Sequence, residues 1–238
     1  MRSEEAKILF VDDEPILLEI CSQWLSGVGT RHVVSTAADG QEALEMMAEN
    51  AYDLLITDVN MPRMNGVTLV RQIAQLGKTL PSIIFVSGFG DVDEREMYGM
   101  GVETFLAKPV IREVLTGAVE RALALRSSLW QTRPEGAPRQ SVVIQANDLC
   151  DNTLTGGVAL GRGGFSAHCA SLLGLGRVSF ECHLSERDWR ISGEGYVRWR
   201  SRAEGMVGIE FSYLDESCRA AMIEEIDRRH PQAFIPAR

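Results

Sequence analysis

The chain has 238 residues, 45% of them hydrophobic, with a formal net charge of −9, which is material for one large domain or two ordinary ones. No apolar run approaches the roughly 18 residues of a membrane span, and Met1-Arg2-Ser3-Glu4-Glu5 lacks the apolar core of a secretion signal, so a soluble cytoplasmic protein is expected. The acidic balance argues against DNA as a partner, and five scattered cysteines without a Cys-x-x-Cys pair read as reduced thiols, not as a disulfide framework or a zinc site.

In chain order, Ile8-Leu9-Phe10-Val11 predicts a buried strand that runs into Asp12-Asp13. Pro15 suits the first turn of a helix that Asp13 or Glu14 can cap, and Leu17, Ile20, Cys21, Trp24 and Leu25 give it one apolar face. A weaker strand over residues 32–37 and a helix over residues 40–50 follow. The run Leu54-Leu55-Ile56-Thr57 then delivers Asp58 just ahead of Met61-Pro62-Arg63-Met64-Asn65-Gly66. A helix over about 67–76 leads to Ile83-Ile84-Phe85-Val86, ending in Ser87-Gly88. A short helix near 93–100 leads to Thr104-Phe105-Leu106-Ala107, ending in Lys108-Pro109, and a long amphipathic helix spans about 112–126. Five alternations of strand and helix predict a five-stranded parallel, doubly wound α/β domain.

In such a sheet, ligand-handling groups gather at the carboxyl ends of the strands. Asp12, Asp13, Asp58, Ser87 and Lys108 should therefore converge. An isolated acid at a strand end more often caps a helix or opens a turn, yet four polar strand endings in one domain outweigh that explanation. Gathered carboxylates repel one another, and a hard divalent cation such as Mg²⁺, which takes oxygen ligands, relieves them. With Lys108 facing it, Asp58 is suited to accept a phosphoryl group. Ser87 either begins a turn or donates a hydrogen bond to a phosphoryl oxygen. Lys108 is either a surface lysine or an aimed one, since the following proline fixes its backbone.

Residues 5–126, on the Asp12-Asp13 pair, Asp58 before Met61-Pro62, Ser87-Gly88 and Lys108-Pro109, resemble the receiver domain of bacterial two-component response regulators, a flavodoxin-like fold. The resemblance implies transfer of a phosphoryl group from a histidine kinase or phosphotransfer protein to Asp58. It also implies Mg²⁺ held by Asp13, Asp58 and the main-chain carbonyl of Asn60, with Asp12 acting through water. Ser87 and Phe105 would move together on phosphorylation, and the bond between Lys108 and Pro109 is often cis in this family. A Phe within a strand is also ordinary core, and both readings of Phe105 stay open.

The character then changes. Residues 127–139, with Arg133, Pro134, Gly136, Pro138 and Arg139, have the composition of an exposed linker. Short β-rich runs over residues 142–145, 158–160, 165–169, 177–183, 191–200 and 206–211, separated by glycine-rich turns, predict a small antiparallel β-barrel. A final helix over 215–229 carries Cys218, Met222 and Ile226 at helical spacing, and residues 231–238 are left as a tail. The pattern is not helix-turn-helix, which disfavours a DNA-binding output. No metal cluster or nucleophile constellation suggests an enzyme.

Residues 140–230 resemble a PilZ domain through Gly163-Gly164-Phe165, Gly176-Arg177-Val178, Gly195-Tyr196-Val197-Arg198-Trp199 and Gly208-Ile209-Glu210-Phe211. The resemblance implies binding of cyclic di-GMP by arginines and an Asp/Asn-x-Ser-x-x-Gly turn. The candidate nucleotide-binding residues are Arg133, Arg139 and Arg162, and the spacing of the first two departs from the family's Arg-x-x-x-Arg. Asp151-Asn152-Thr153-Leu154-Thr155-Gly156 approximates the turn but lies early in the chain. The basic stretch Arg198-Trp199-Arg200-Ser201-Arg202 is either a rim that binds phosphates or an acidic partner or, by default, a charged hairpin tip. Two outputs remain. The first is a phosphorylation-gated cyclic di-GMP receptor acting on motility, adhesion or biofilm behaviour. The second is a protein-docking or oligomerisation module, whose partner is a downstream protein or another copy of the chain.

Overall fold

The computed structural model describes residues 5–26, 32–77, 79–88, 93–125, 128–150, 157–169 and 173–237. They form two compact units, Met1–Val92 with Val102–Leu125, and Asp93–Gly101 with Arg126–Arg238. The approximate turn motif from Asp151 to Gly156 lies outside the described residues.

In the first unit, strands β1 (Ala6–Val11), β2 (His32–Ala37), β3 (Leu54–Asp58), β4 (Ser82–Ser87) and β5 (Val102–Ala107) form one sheet in the order β2-β1-β3-β4-β5. Every pairing is parallel. The central strand β3 is buried along its whole length, as a sheet covered on both faces requires. Helices α1 (Pro15–Leu25), α2 (Gly40–Glu49), α3 (Gly66–Gln75) and α5 (Arg112–Ala122) accompany it. The core joins Ile8, Phe10, Leu54, Ile56, Ile84 and Val86 of the strands to Cys21 and Leu25 of α1 and Leu115 and Val119 of α5. Burial pushes the Cys21 thiol up to about 11, in keeping with an inert, space-filling cysteine.

The helix ends show where local chemistry decided. Asp39 caps α2 by accepting from the Gln41 and Glu42 amides, and Asn65 caps α3 by accepting from Thr68. Neither Asp13 nor Glu14 caps α1 through its side chain. The carboxylate that enters this turn is Asp12, whose Oδ1 accepts from the Glu14 amide at 2.9 Å. Helix α5 stops at Ala122, four residues before the expected end, where Ser82 Oγ donates to the Ala122 carbonyl at 3.0 Å and satisfies one of the terminal acceptors. Gly66 has no substitute. Its N–H donates to the Val59 carbonyl at 3.0 Å, and a Cβ there would collide with the Asp58 carbonyl.

The second unit holds α4 (Glu94–Gly99), strands β6 (Gln140–Ala146), β7 (Leu149–Cys150), β8 (Val158–Leu160), β9 (Gly164–His168), β10 (Gly176–Leu184), β11 (Trp189–Ser201) and β12 (Met206–Leu214), and helix α6 (Glu216–Arg229). The seven strands make one sheet in the order β6-β10-β11-β12-β9-β8-β7. It is mixed, which corrects the expectation that every pairing is antiparallel: β6 pairs parallel with β10, and β7 with β8. Alternation of apolar residues shows which face of a strand is buried and carries no information on strand direction, and a two-residue strand has no period to detect. Phe165, Phe180 and Phe211 meet with ring centroids 5.1–5.8 Å apart. Cys218, Met222 and Ile226 of α6 close over this core, as their spacing predicted.

Residues expected to be an exposed linker are docked on this sheet. Trp130 packs edge-on to Phe211 at 5.2 Å, its carbonyl accepts from Leu214, and Arg177 donates to the Pro134 and Glu135 carbonyls. None of the five cysteines is joined in a disulfide among the described residues.

The last turns of α6 carry an ion cluster. Glu225, 8% exposed, receives Arg228 at 2.5 Å, Arg229 at 2.7 Å and Arg187 at 3.3 Å. The Arg228 hydrogen bond outweighs burial and, with Arg229 and Arg187, lowers the Glu225 pKa from 4.5 to about 2. Because the folded value is depressed, this carboxylate stabilises the fold above pH 4.5, and the contribution is lost as pH falls from 4.5 toward about 2. Glu225→Gln is expected to cost roughly 1–3 kcal/mol at pH 7. The same variant removes this part of the acid sensitivity, so wild type and variant curves converge at low pH in urea titrations monitored by tryptophan fluorescence.

Candidate functional site

The parallel register of the first unit puts four strand ends on one edge. Thr57 lies opposite Val11, Asp58 opposite Val86, and Ser87 opposite Ala107. Asp12 follows β1 directly and Lys108 follows β5, so polar residues far apart in sequence emerge together. Acidic oxygens of Asp12, Asp13 and Asp58 lie within 4.8 Å of one another, with Asp12 and Asp58 buried and Asp13 exposed. Three carboxylates with oxygen donors this close are the ligand chemistry of a hard cation, and the set fits Mg²⁺.

Lys108 reaches across the cluster. Its ammonium is 2.6 Å from Asp58 Oδ2, 3.0 Å from Asp12 Oδ2 and 3.1 Å from Glu14 Oε1. Burial works against the charged lysine, but these bonds and the surrounding carboxylates outweigh it and hold the Lys108 pKa above its ordinary value. Burial also raises the Asp12 pKa, against the Glu14 amide and Lys108, which both lower it. The Lys108-Pro109 peptide is cis. Glu14, considered from sequence only as a helix cap, is the third partner of the lysine. The signal available for it was its position two residues beyond Asp12 at the same strand end.

Asp58 is 5% exposed, and its second oxygen, Oδ1, accepts from the Asn60 amide at 3.1 Å. Asn60 thus meets Asp58 through its N–H. The Ser87 hydroxyl, also buried, donates to the Gly88 carbonyl at 2.8 Å, which is its turn-forming role. Phe105 is half-buried on edge strand β5 and meets the fully buried Phe85 edge-on at 6.2 Å. The Asp39 carboxylate is buried at the cap of α2 and forms an ion pair with Arg63 from the loop after β3. Sequence reasoning had passed over both.

Two of the three arginines proposed for a nucleotide have other occupations. Arg133 bonds Asp215 at 3.2 Å, lies 3.5 Å from Glu194 Oε1 and stacks on Tyr213. Arg162 is half-buried and donates to the Gly101 carbonyl at 2.7 Å. Arg139 is exposed. The basic stretch expected at a hairpin tip begins inside β11, where Arg198 pairs with Glu210, Trp199 is buried and Arg200 donates to the Leu173 carbonyl. A count of arginines in sequence cannot reveal which carboxylates and carbonyls the fold will set against them.

Residues 8–120 match the response regulator receiver domain family. Over 113 residues the chain is 35% identical to the sensor histidine kinase RcsC of Salmonella typhimurium, a match covering 48% of this chain and 12% of RcsC. It is 36% identical over 159 residues to the response regulator MprA of Mycobacterium leprae, covering 66% of this chain and 64% of MprA. These matches therefore span less than two thirds of either relative. Among solved structures it is similar to the Vibrio cholerae chemotaxis protein CheY4, with 31% identity and a TM-score of 0.46, covering 50% of this chain and all of that one. The segment from residue 8 to residue 120 is accordingly a receiver domain of the two-component response regulator family.

Proposed function

We propose that Asp58 accepts a phosphoryl group from a phosphohistidine of a kinase or phosphotransfer protein, and that the second unit is the output this modification controls. The carrying observation is the Asp58 carboxylate gripped at 2.6 Å by Lys108 beside Asp12 and Asp13. A carboxylate oxygen of Asp58 attacks phosphorus, a P–O bond forms and the P–N bond breaks, and the departing imidazole takes up a proton. Mg²⁺ held by Asp12, Asp13 and Asp58, with Asn60 adjoining, would supply charge neutralisation for the transferring group. Lys108 orients the acceptor and afterwards faces the added negative charge with an ammonium that stays protonated. The Ser87 hydroxyl can exchange the Gly88 carbonyl for a phosphoryl oxygen, and Phe105 on the adjoining strand can shift with it.

For the second unit the arginine geometry supports protein docking or self-association over cyclic di-GMP binding. Arg133 and Arg162 are committed to acceptors of their own chain, and freeing them for a nucleotide would leave Glu194, Asp215 and the Gly101 carbonyl without those donors. The test is calorimetric. Titration with cyclic di-GMP to high micromolar concentration is expected to give no saturable heat, and a saturable isotherm would restore the nucleotide reading.

The acceptor assignment predicts that Asp58→Asn abolishes labelling by acetyl phosphate in the presence of Mg²⁺, measured as phosphoprotein by intact-mass spectrometry. Lys108→Ala is expected to slow labelling by about ten- to a hundredfold. Label that persists on another residue of the Asp58→Asn chain would move the acceptor elsewhere.

A further inference from the structure

The two ends of the seven-stranded sheet differ. At one end β7 is two residues long and offers another strand little to pair with. At the other, β6 runs for seven residues from Gln140 to Ala146 and among the described residues pairs with β10 alone, in parallel and without a bulge. Open strand edges are usually blunted by a lysine, a proline or a bulge, because their free N–H and C=O groups invite pairing with another chain. The stretch Gln140-Ser141-Val142-Val143-Ile144-Gln145-Ala146 has none of these and carries no charge.

Parity shows which main-chain groups are open. The Ala146 carbonyl accepts from the Ser185 amide at 3.0 Å, and the Ser179 hydroxyl donates to the Gln140 carbonyl at 3.4 Å. Both carbonyls therefore face β10. Alternate residues of a strand present their main-chain groups to opposite sides, so those of Val142 and Ile144 face β10 as well. The N–H and C=O groups of Ser141, Val143 and Gln145 point away from the sheet.

The side chains alternate with the same period. Val142, Ile144 and Ala146 belong to the core, whereas Ser141, Val143 and Gln145 are exposed, Val143 at 60%. Such a pattern pins register, because a slip of one residue would set buried side chains against exposed ones. The receiver's edge strand β2 is also free of charged residues, but its burial does not alternate, so no register is singled out there.

One arrangement uses every open group. Let a second copy of β6 lie antiparallel, with Val143 opposite Val143. Ser141 then falls opposite Gln145 of the second copy, and Val142 opposite its Ile144. Exposed residues meet exposed ones and buried residues buried ones, while Ser141, Val143 and Gln145 exchange both main-chain bonds with their opposites. Moving the centre to Val142 or Ile144 keeps the faces matched but leaves Gln145 or Ser141 beyond the end of the other strand. The strand is thus self-complementary about a two-fold axis, as an interface between identical patches requires.

We propose that the second unit self-associates by antiparallel pairing of β6 with β6 of a second copy of the chain, joining two seven-stranded sheets into one. This names the partner for the self-association reading given above and rests on that reading. Two paired strands bury less than the roughly 1,200 Å² of a stable interface, so the dimer is weak and depends on concentration.

Sedimentation velocity of the full chain, from low to high micromolar concentration, is expected to show a reversible monomer–dimer equilibrium. Val143→Lys and Val143→Glu each set like charges opposite one another and are expected to weaken the dimer by about fivefold or more. An equal mixture of the two is expected to recover the affinity, since only the mixed dimer sets an ammonium opposite a carboxylate. The Val143 side chain is exposed, so both variants should keep the circular dichroism of the unaltered chain. Ser141→Lys combined with Gln145→Glu leaves Val143 in place and is expected to tighten the dimer, because the register sets those two positions against each other. A chain that stays monomeric throughout overturns the pairing and leaves docking of a different protein. Val143 variants that dimerise like the unaltered chain, or a mixture no tighter than either variant alone, overturn the pairing through β6 and leave self-association through another surface. A saturable cyclic di-GMP isotherm overturns the reading beneath it.

Discussion

One ammonium among four carboxylates is the interaction on which the receiver's chemistry depends. Lys108 is the cation that the described residues set against Asp58, Asp12 and Glu14, with Asp13 beside them. Such a cluster is unfavourable in itself, because burial penalises Asp12 and Lys108 alike and the acids repel one another. It persists because a parallel sheet delivers the ends of its strands to one edge, and because the bonds to Lys108 recover part of what burial takes away. The surplus negative charge is what suits the site to a hard cation. Glycine at position 66 belongs to the same constraint, since the chain turns hard against the Asp58 backbone just after the sheet edge.

The second unit spends its arginines differently. Arg133, Arg177, Arg198 and Arg187 are set against Asp215, Glu194, Glu210, Asp148 and Glu225, most of them around the sheet and its closing helix. Guanidinium groups are the natural ligands of phosphates, but once a half-buried arginine has satisfied a carboxylate, withdrawing it leaves a charge uncompensated. The ion pairs thus belong to the architecture of the mixed sheet, and the aromatic cluster of Phe165, Phe180 and Phe211 with Trp130 supplies its apolar centre.

The position of α4 joins these two themes. A short helix contributes little stability of its own, so its place is decided by what packs on it. Here Tyr98 and Arg95 are engaged by the C-terminal segment around Phe234 and by Trp199, all within one compact unit, although the strands on either side of the helix belong to the other.

Much of this was legible in the amino-acid order. Apolar runs ending in Asp12, Asp58, Ser87 and Lys108 specify a parallel α/β sheet and its polar edge, because strand burial and strand-end chemistry are local properties written in consecutive residues. Helical spacing likewise placed Cys218, Met222 and Ile226 on the core. The tertiary structure alone decided the rest: that β6 pairs in parallel with β10 and β7 with β8, that the Glu14 side chain binds Lys108 and not a helix amide, that Arg133 and Arg162 face partners of their own chain, and that the segment around Ile235 is core. Each of these depends on which residues distant in sequence come to share a few ångströms, and composition and period describe a residue's neighbours along the chain but not its neighbours in space.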